Sequence, residues 1–249
     1  MEGVVLLDKP AGMTSNAALQ AVRRLFGRVK AGHTGTLDPL ATGLLPVCLG
    51  EATKFAGGLL EADKTYEAVI RLGLATSTGD AEGEPLFRGD IAGCQEQVAG
   101  VLAAFTGEID QLPPMFSAIK HRGRPLYSYA RAGEEVERKT RRITVRDLEL
   151  LSLSEQEFTV RVQCSKGTYI RTLAQDIGER LGCGAHLKAL RRTGIARLRI
   201  EEAVTLDRLT EFSSAERIGW VRPVDLLLSE LPAVILDTAR ADASCRGVR

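Results

Sequence analysis

"AGHTGTLDPLATGLLPVCLG", residues 31–50, holds a single carboxylate, Asp38, and neither Lys nor Arg. Glycines, small residues and aliphatics surround it. Aspartate is seldom buried without a partner. Asp38 therefore faces water at a turn ahead of Pro39, or it is neutralised by a group far away in the chain. The second alternative ties residues 31–50 to a distant element and constrains the whole fold.

Outward from that stretch, apolar periodicity marks the elements. Residues 4–7 (VVLL) read as a buried strand and 8–12 (DKPAG) as a turn. Thr14 or Ser15 then caps a helix with Leu19, Val22, Leu25 and Phe26 on one face. Downstream, residues 66–72 predict a half-buried strand on which Tyr66 shares a face with Ala68 and Ile70. Residues 75–84 form a polar loop, and Val98, Val101, Leu102 and Phe105 mark a helix that ends before Pro113 and Pro114. Residues 115–142 are basic, contain aromatics and are broken by Gly123, Pro125 and Gly133. So long a connection suits a lid or binding loop. Residues 143–153 and 158–164 form a hairpin around "SEQE". Residues 165–168 turn into a helix carrying Ile170, Leu173, Ala174, Ile177 and Leu181, stopped by Gly182 and Gly184. Ala196, Leu198 and Ile200 alternate with arginines as another half-buried strand, Thr205 caps a last helix, and 232–236 start one more strand. Hairpins mixed with single helices, without strict βαβ alternation, predict an α+β fold. Its sheet is mixed and mainly antiparallel, flanked by helices and loops.

The 249 residues suit one large domain or a domain with an appendage. Apolar residues at 44% and charged residues at 26% place the chain among globular proteins. Five scattered cysteines without a C-x-x-C pair argue against a disulfide scaffold and fit a reducing cytoplasm. Cys183 and His186 lack two further zinc ligands and read as a thiol and an imidazole in a loop. No segment has the apolar length of a membrane span, and the N-terminus reads as a strand rather than a signal peptide. The expected location is therefore cytoplasmic, with no membrane partner.

The net charge of +1 is unevenly spread. Residues 120–146 hold nine Lys/Arg against three Asp/Glu, and residues 171–199 hold seven against two, so the remainder is acidic. Basic segments in an acidic chain suggest a groove for a polyanion. A P-loop, a dinucleotide fingerprint, a zinc-protease motif and a nucleophile elbow are all missing. No metal, nucleotide or redox cofactor is expected, which leaves chemistry that needs a carboxylate and positioning.

Four stretches carry a resemblance: "DKPAGMTSN" (8–16), "AGHTGTLDPLATGLLPVCLGEATKF" (31–55), "DKTYEAVIRLG" (63–73) and "CSKGTYIRTLAQDIGERLGCGAHLKALRR" (164–192). Together they closely resemble the TruB family of tRNA pseudouridine-55 synthases. The resemblance implies a pseudouridine-synthase fold, with residues 1–228 as catalytic domain and about 115–142 as a flexible RNA-binding insert. It implies that 229–249 are the remnant of a C-terminal PUA-like domain. It further implies that a T-loop uridine of tRNA is isomerised: the N1–C1′ bond breaks, the uracil turns over, and C5 bonds to C1′. Nothing is consumed, which suits the missing cofactor motifs.

By the same resemblance Asp38 is the catalytic acid, and Arg171 is its cation, a two-pronged clamp at the start of a helix. Tyr66 stacks on the base and serves proton transfer. Tyr169 and Leu190 line the uracil pocket, and Lys9 and Pro10 brace the tyrosine. His33 fills the space left by flipped nucleotides. Tyr127 and Tyr129 of the insert offer stacking surfaces. The partner is the T arm of tRNA and the chain is expected to be a monomer. The rival readings are a pseudouridine synthase for another RNA and a tRNA-binding or folding protein without catalysis.

Overall fold

The computed structural model describes residues 1–228 and, beyond them, 231, 232, 234–238, 240 and 241. The chain enters as β1 (Gly3–Lys9) and turns into α1 (Ser15–Leu25), whose N-cap Thr14 accepts a hydrogen bond from the Ala17 amide. It returns as β2 (Ala31–His33) and β3 (Thr42–Leu49), which pair antiparallel, and β3 also pairs antiparallel with β1. Val5 and Leu7 pack with Ala18, Leu19 and Val22 of α1, while Val4 and Leu6 pack with Leu44, Cys48 and Leu59 on the other side. Burial on both faces makes β1 an unbroken apolar run. β2 and β3 go beyond the sequence expectation. Gly32, Gly43 and Pro46 hide the strand pattern there, because glycine and proline are poor strand formers.

α2 (Gly57–Glu61) leads into β4 (Lys64–Leu72), the strand expected around Tyr66. The polar loop expected over 75–84 is the tip of a small hairpin, β5 (Leu74–Thr76) and β6 (Pro85–Arg88). α3 (Cys94–Ala104) buries Val98 and Leu102, and β7 (Gly107–Gln111) follows. Residues 115–142 form more than a loop. They hold a hairpin of β8 (Lys120–His121) and β9 (Arg124–Pro125), then α4 (Leu126–Arg131), which buries Leu126 and Tyr129.

β10 (Arg141–Leu153) and β11 (Glu157–Cys164) form the expected hairpin, and α5 (Ile170–Arg180) the expected helix. The largest correction is β12 (Ala185–Ile195), a central strand that the sequence pattern does not announce. Register shifts at Leu187/Ala189 and Arg192/Gly194 break its alternation, and charged residues interrupt its apolar run. His186 accordingly sits buried on this strand with Nδ1 2.8 Å from the Leu74 carbonyl and is not a loop group, whereas Cys183 lies in the bend between α5 and β12, buried. The strand expected over 196–200 shrinks to β13 (Leu198–Arg199), after Ala196 at φ 49°. β14 (Val204–Thr205), α6 (Leu206–Glu211, capped by Thr205), α7 (Ser214–Ile218) and β15 (Val221–Arg222) follow, and then a short 3-10 turn, Val224–Leu228, which buries Leu227. Pro232 and residues 234–236 are exposed and form no strand. Most of the appendage expected over 229–249 lies outside the described residues.

An eleven-stranded sheet runs β14-β1-β3-β12-β4-β11-β10-β7, with β2, β13 and β15 attached to β3, β12 and β1. Among the described residues only β1–β14 and β3–β12 are parallel, so the sheet is mixed and mainly antiparallel, an α+β fold. The four cysteines described are free and buried. Among the described residues no helix is long and apolar enough to cross a membrane.

Candidate active site

A cavity of about 710 Å³ opens where the 33–39 loop, β4, β12 and the start of α5 meet. Asp38, Tyr66, Arg171, His33, Tyr169 and Leu190 all line it. The loop carrying Asp38 is held from several sides. The Ser15 hydroxyl accepts from the Leu37 amide at 2.7 Å, the Gly12 amide donates to the Pro39 carbonyl at 2.8 Å, and the Ala41 amide donates to Asp38 O at 3.1 Å. Lys9, wholly buried, sends Nζ to the carbonyls of Pro10 and Met13 and, at 3.5 Å, of Pro39. Burial lowers the Lys9 ammonium to about 8, against the pull of Asp38. The hydrogen bonds of Lys9 thus brace the Asp38 loop against the β1–α1 turn. Pro10 is exposed there.

The opening alternative for Asp38 is settled by distance. Arg171 Nε donates to Asp38 Oδ2 at 2.9 Å across 133 positions of sequence. Arg171 is 4% exposed, whereas the Asp38 carboxylate keeps 39% exposure through the cavity mouth. The expected two-pronged clamp on Asp38 is not formed. The other arms of the guanidinium hold the Thr78 carbonyl at 3.0 Å and the Phe116 carbonyl at 2.7 Å, and Asp80 Oδ2 lies 3.6 Å from Nε. Carbonyls of the β5–β6 hairpin and of the insert take the donors that a bidentate contact would use, so one side chain locks three segments around the acid.

Tyr66 packs half-buried against the core. Burial pushes its phenol above the ordinary range, with the neighbouring Arg192 guanidinium working against that shift. Leu190 on β12 belongs to the same core and shows its edge to the cavity. Tyr169 is the N-cap residue of α5, and a buried amide, Gln111, holds its backbone by accepting from its N–H at 2.8 Å and donating to its carbonyl at 3.1 Å. His33 ends β2 with Nδ1 buried and without a partner among the described residues. Burial, then Arg192, lowers its pKa and favours the neutral ring.

A family model for TruB family pseudouridylate synthase (N terminal domain) matches residues 23–170. The chain belongs to the TruB family. A second model, for the tRNA pseudouridylate synthase B C-terminal domain, matches residues 171–231. Among curated relatives, a tRNA pseudouridine synthase B of Burkholderia mallei (strain NCTC 10247) is 58% identical over 249 residues, all of this chain and 82% of the relative. That of Azoarcus sp. (strain BH72) is 57% identical over 247 residues, 99% of this chain and 82% of the relative. Among solved structures, one from a Cbf5-Nop10-Gar1 complex superposes with TM-score 0.74 at 30% identity, covering 99% of this chain and 67% of its own.

The TruB-family site contains more than the sequence pointed out. Asp80, Gln111 and Arg192 were not singled out, and Ser15 only as a candidate helix cap. Each is an ordinary polar residue whose role depends on a distant contact, and none carries a local signal. The insert also corrects one expectation. Tyr127 is 41% exposed and lines the cavity, but Tyr129 is 8% exposed. Its hydroxyl donates to the His121 carbonyl at 3.1 Å, and Arg124 covers its ring at 4.4 Å. Tyr129 is therefore an internal strut of the insert rather than a stacking face for RNA. Among the described residues no group of three or more His, Cys, Asp or Glu could hold a metal ion.

Proposed function

We propose that this TruB-family chain isomerises uridine 55 in the T loop of tRNA to pseudouridine, flipping the base out and using Asp38 at the sugar carbon. The observation that carries the proposal is the Asp38–Arg171 pair, 2.9 Å apart at the cavity. The fixed cation holds the carboxylate in place at the cavity mouth. The carboxylate then attacks or shields C1′ as the base departs, or takes a sugar proton. Tyr66 stacks on the extruded uracil, Tyr169 and Leu190 bound it, and His33 occupies the space vacated in the loop. Lys9 and Pro10 keep this framework in place. The basic insert, with Tyr127 and Arg131 at the cavity, contacts the RNA backbone.

The tRNA substrate is supported by full-length identity to relatives named tRNA pseudouridine synthase B. A second reading, another RNA target, is favoured by one observation: a further similar structure is of an H/ACA RNP bound to a substrate RNA, at TM-score 0.67 and 29% identity. The test is incubation with unmodified tRNA without cofactors, then carbodiimide-stopped primer extension. A stop beside the T-loop uridine is expected. Stops elsewhere favour the second reading, and free uracil points to a hydrolase. Asp38→Asn is expected to abolish the stop while tRNA binding persists; isomerisation by Asp38→Asn at the wild-type rate would remove the acid from the chemistry.

A further inference from the structure

Arg192 is the part of the cavity that the proposed function leaves unused. It stands opposite Tyr66 in the β12–β4 register and two positions after Leu190, so the three share one face of the sheet. Its side chain is 1% exposed and yet lines the cavity. Nε donates to the Leu44 carbonyl at 2.8 Å and one terminal nitrogen donates to the Gly35 carbonyl at 3.2 Å. Burial works against its charge, but arginine keeps its proton in proteins, so a full positive charge stands at the wall of the cavity. Among the described residues no carboxylate forms an ion pair with it. Of the three carboxylates that line the cavity, Asp38 and Asp80 lie against Arg171, at 2.9 and 3.6 Å, and the polar side chain beside Arg192 is the neutral Tyr66 hydroxyl.

A buried ion is costly and normally comes paired. Enzymes place fixed charge without a partner where opposite charge develops during reaction. We propose that Arg192 stabilises the uracil anion released when the glycosidic bond breaks, an inference that rests on the function proposed above. The N1–C1′ electron pair leaves with the base, spreading negative charge over N1 and the two carbonyl oxygens. C5 then attacks C1′, its proton departs, and N1 takes up a proton, so the product is an isomer and nothing else is consumed. Asp38 answers the electron-poor sugar, and Arg192 answers the electron-rich base. The RNA also brings phosphates, but a guanidinium 1% exposed on the cavity floor is remote from a phosphate solvated at its rim. Neighbouring groups register the same field: His33 and Lys64 are lowered first by burial and next by Arg192.

The test compares wild type, Arg192→Gln and Arg192→Lys in single-turnover reactions on tRNA carrying uridine or 5-fluorouridine at the target. Fluorine withdraws electrons and stabilises the departing base by itself; because C5 then has no proton to lose, this substrate is followed by loss of the starting nucleoside and not by pseudouridine formation. Arg192→Gln is expected to slow conversion of uridine by ~10²–10³-fold, with thermal midpoint and RNA affinity near wild type. The loss on 5-fluorouridine is expected to be at least about tenfold smaller. Arg192→Lys, which keeps the charge on a shorter stem, is expected to lose less on both bases. Equal losses on the two bases, or wild-type rates, overturn the inference. So does weakened binding with a salt slope lower by about one, the mark of a phosphate contact. If Arg192→Gln does not fold, Arg192→Lys carries the same comparison, and a loss that fails to shrink on 5-fluorouridine overturns it. Wild type and Arg192→Gln turning over uridine alike overturns the role of Arg192 alone. Wild type leaving uridine untouched overturns the function as well.

Discussion

Arg171 divides one guanidinium among the Asp38 carboxylate and the carbonyls of Thr78 and Phe116. Three directed contacts in one plane are within reach of a guanidinium and beyond an ammonium. Arg171→Lys is therefore expected to cost ~10²-fold or more in single-turnover rate, although the charge is kept. Near-normal turnover would show that Asp38 needs only a nearby cation. Lys64 makes a prediction in pH. Its Nζ donates to the carbonyls of Leu59, Leu60 and Ala62 at the end of α2. Burial first, then Arg192, lowers it from 10.5 to about 8. Below pH 8 both states carry the proton and the burial cost is present. Between pH 8 and 10.5 the unfolded chain holds more protons, so stability rises with pH. The rise from this group approaches about 3 kcal/mol. Lys64→Met lacks it, so the stability of wild type relative to the variant in urea should rise from pH 8 to pH 10. A constant gap would refute the shift. At this scale Asp38 was legible as a solitary acid among apolar residues, and its partner only through the family resemblance, because no local pattern links positions 133 apart.

The strand that matters most to the site is the one least visible beforehand. β12 lies between β3 and β4 in the sheet and carries both Leu190 and Arg192. Its parallel pairing with β3 sets Arg192 against Gly43. Gly43 has φ 106°, and a Cβ added there would overlap the backbone nitrogen and carbonyl of Arg192. Backbone in mid-sheet cannot swing aside. Gly43→Ala is thus expected to cost at least about 2 kcal/mol in urea unfolding and to reduce turnover with it. Wild-type stability would mean that β3 and β12 are not packed this closely. α1, β4, the β10–β11 hairpin and α5 were legible, because each buries one face and so writes the period of its own geometry into the sequence. β3 and β12 were not. The first is buried on two faces and punctuated by Gly43 and Pro46, and the second is bulged twice.

Across the whole molecule, the cavity, the exposed Tyr127, Arg131 and the basic insert surround one opening. An RNA that reaches all of them needs little more than the target loop and its stem. These 249 residues are therefore expected to bind a T-arm stem-loop about as tightly as whole tRNA and to modify it with a similar single-turnover rate. Titration and rate measurements on both RNAs check this; a large preference for whole tRNA would locate essential contacts away from the cavity.

The amino-acid sequence by itself determined the family, the α+β class, the amphipathic elements and the lone acid. These are properties of neighbours two to four positions apart or of motifs read in one line. Tertiary structure alone decided that Arg171 serves three segments at once and that Tyr129 turns inward. It alone decided that Arg192 lies buried at the cavity with no carboxylate paired to it among the described residues. The Arg171–Asp38 and Arg192–Leu44 contacts join residues more than a hundred positions apart, and the inward turn of Tyr129 depends on how the insert folds on itself; neither kind of contact leaves a periodicity to read.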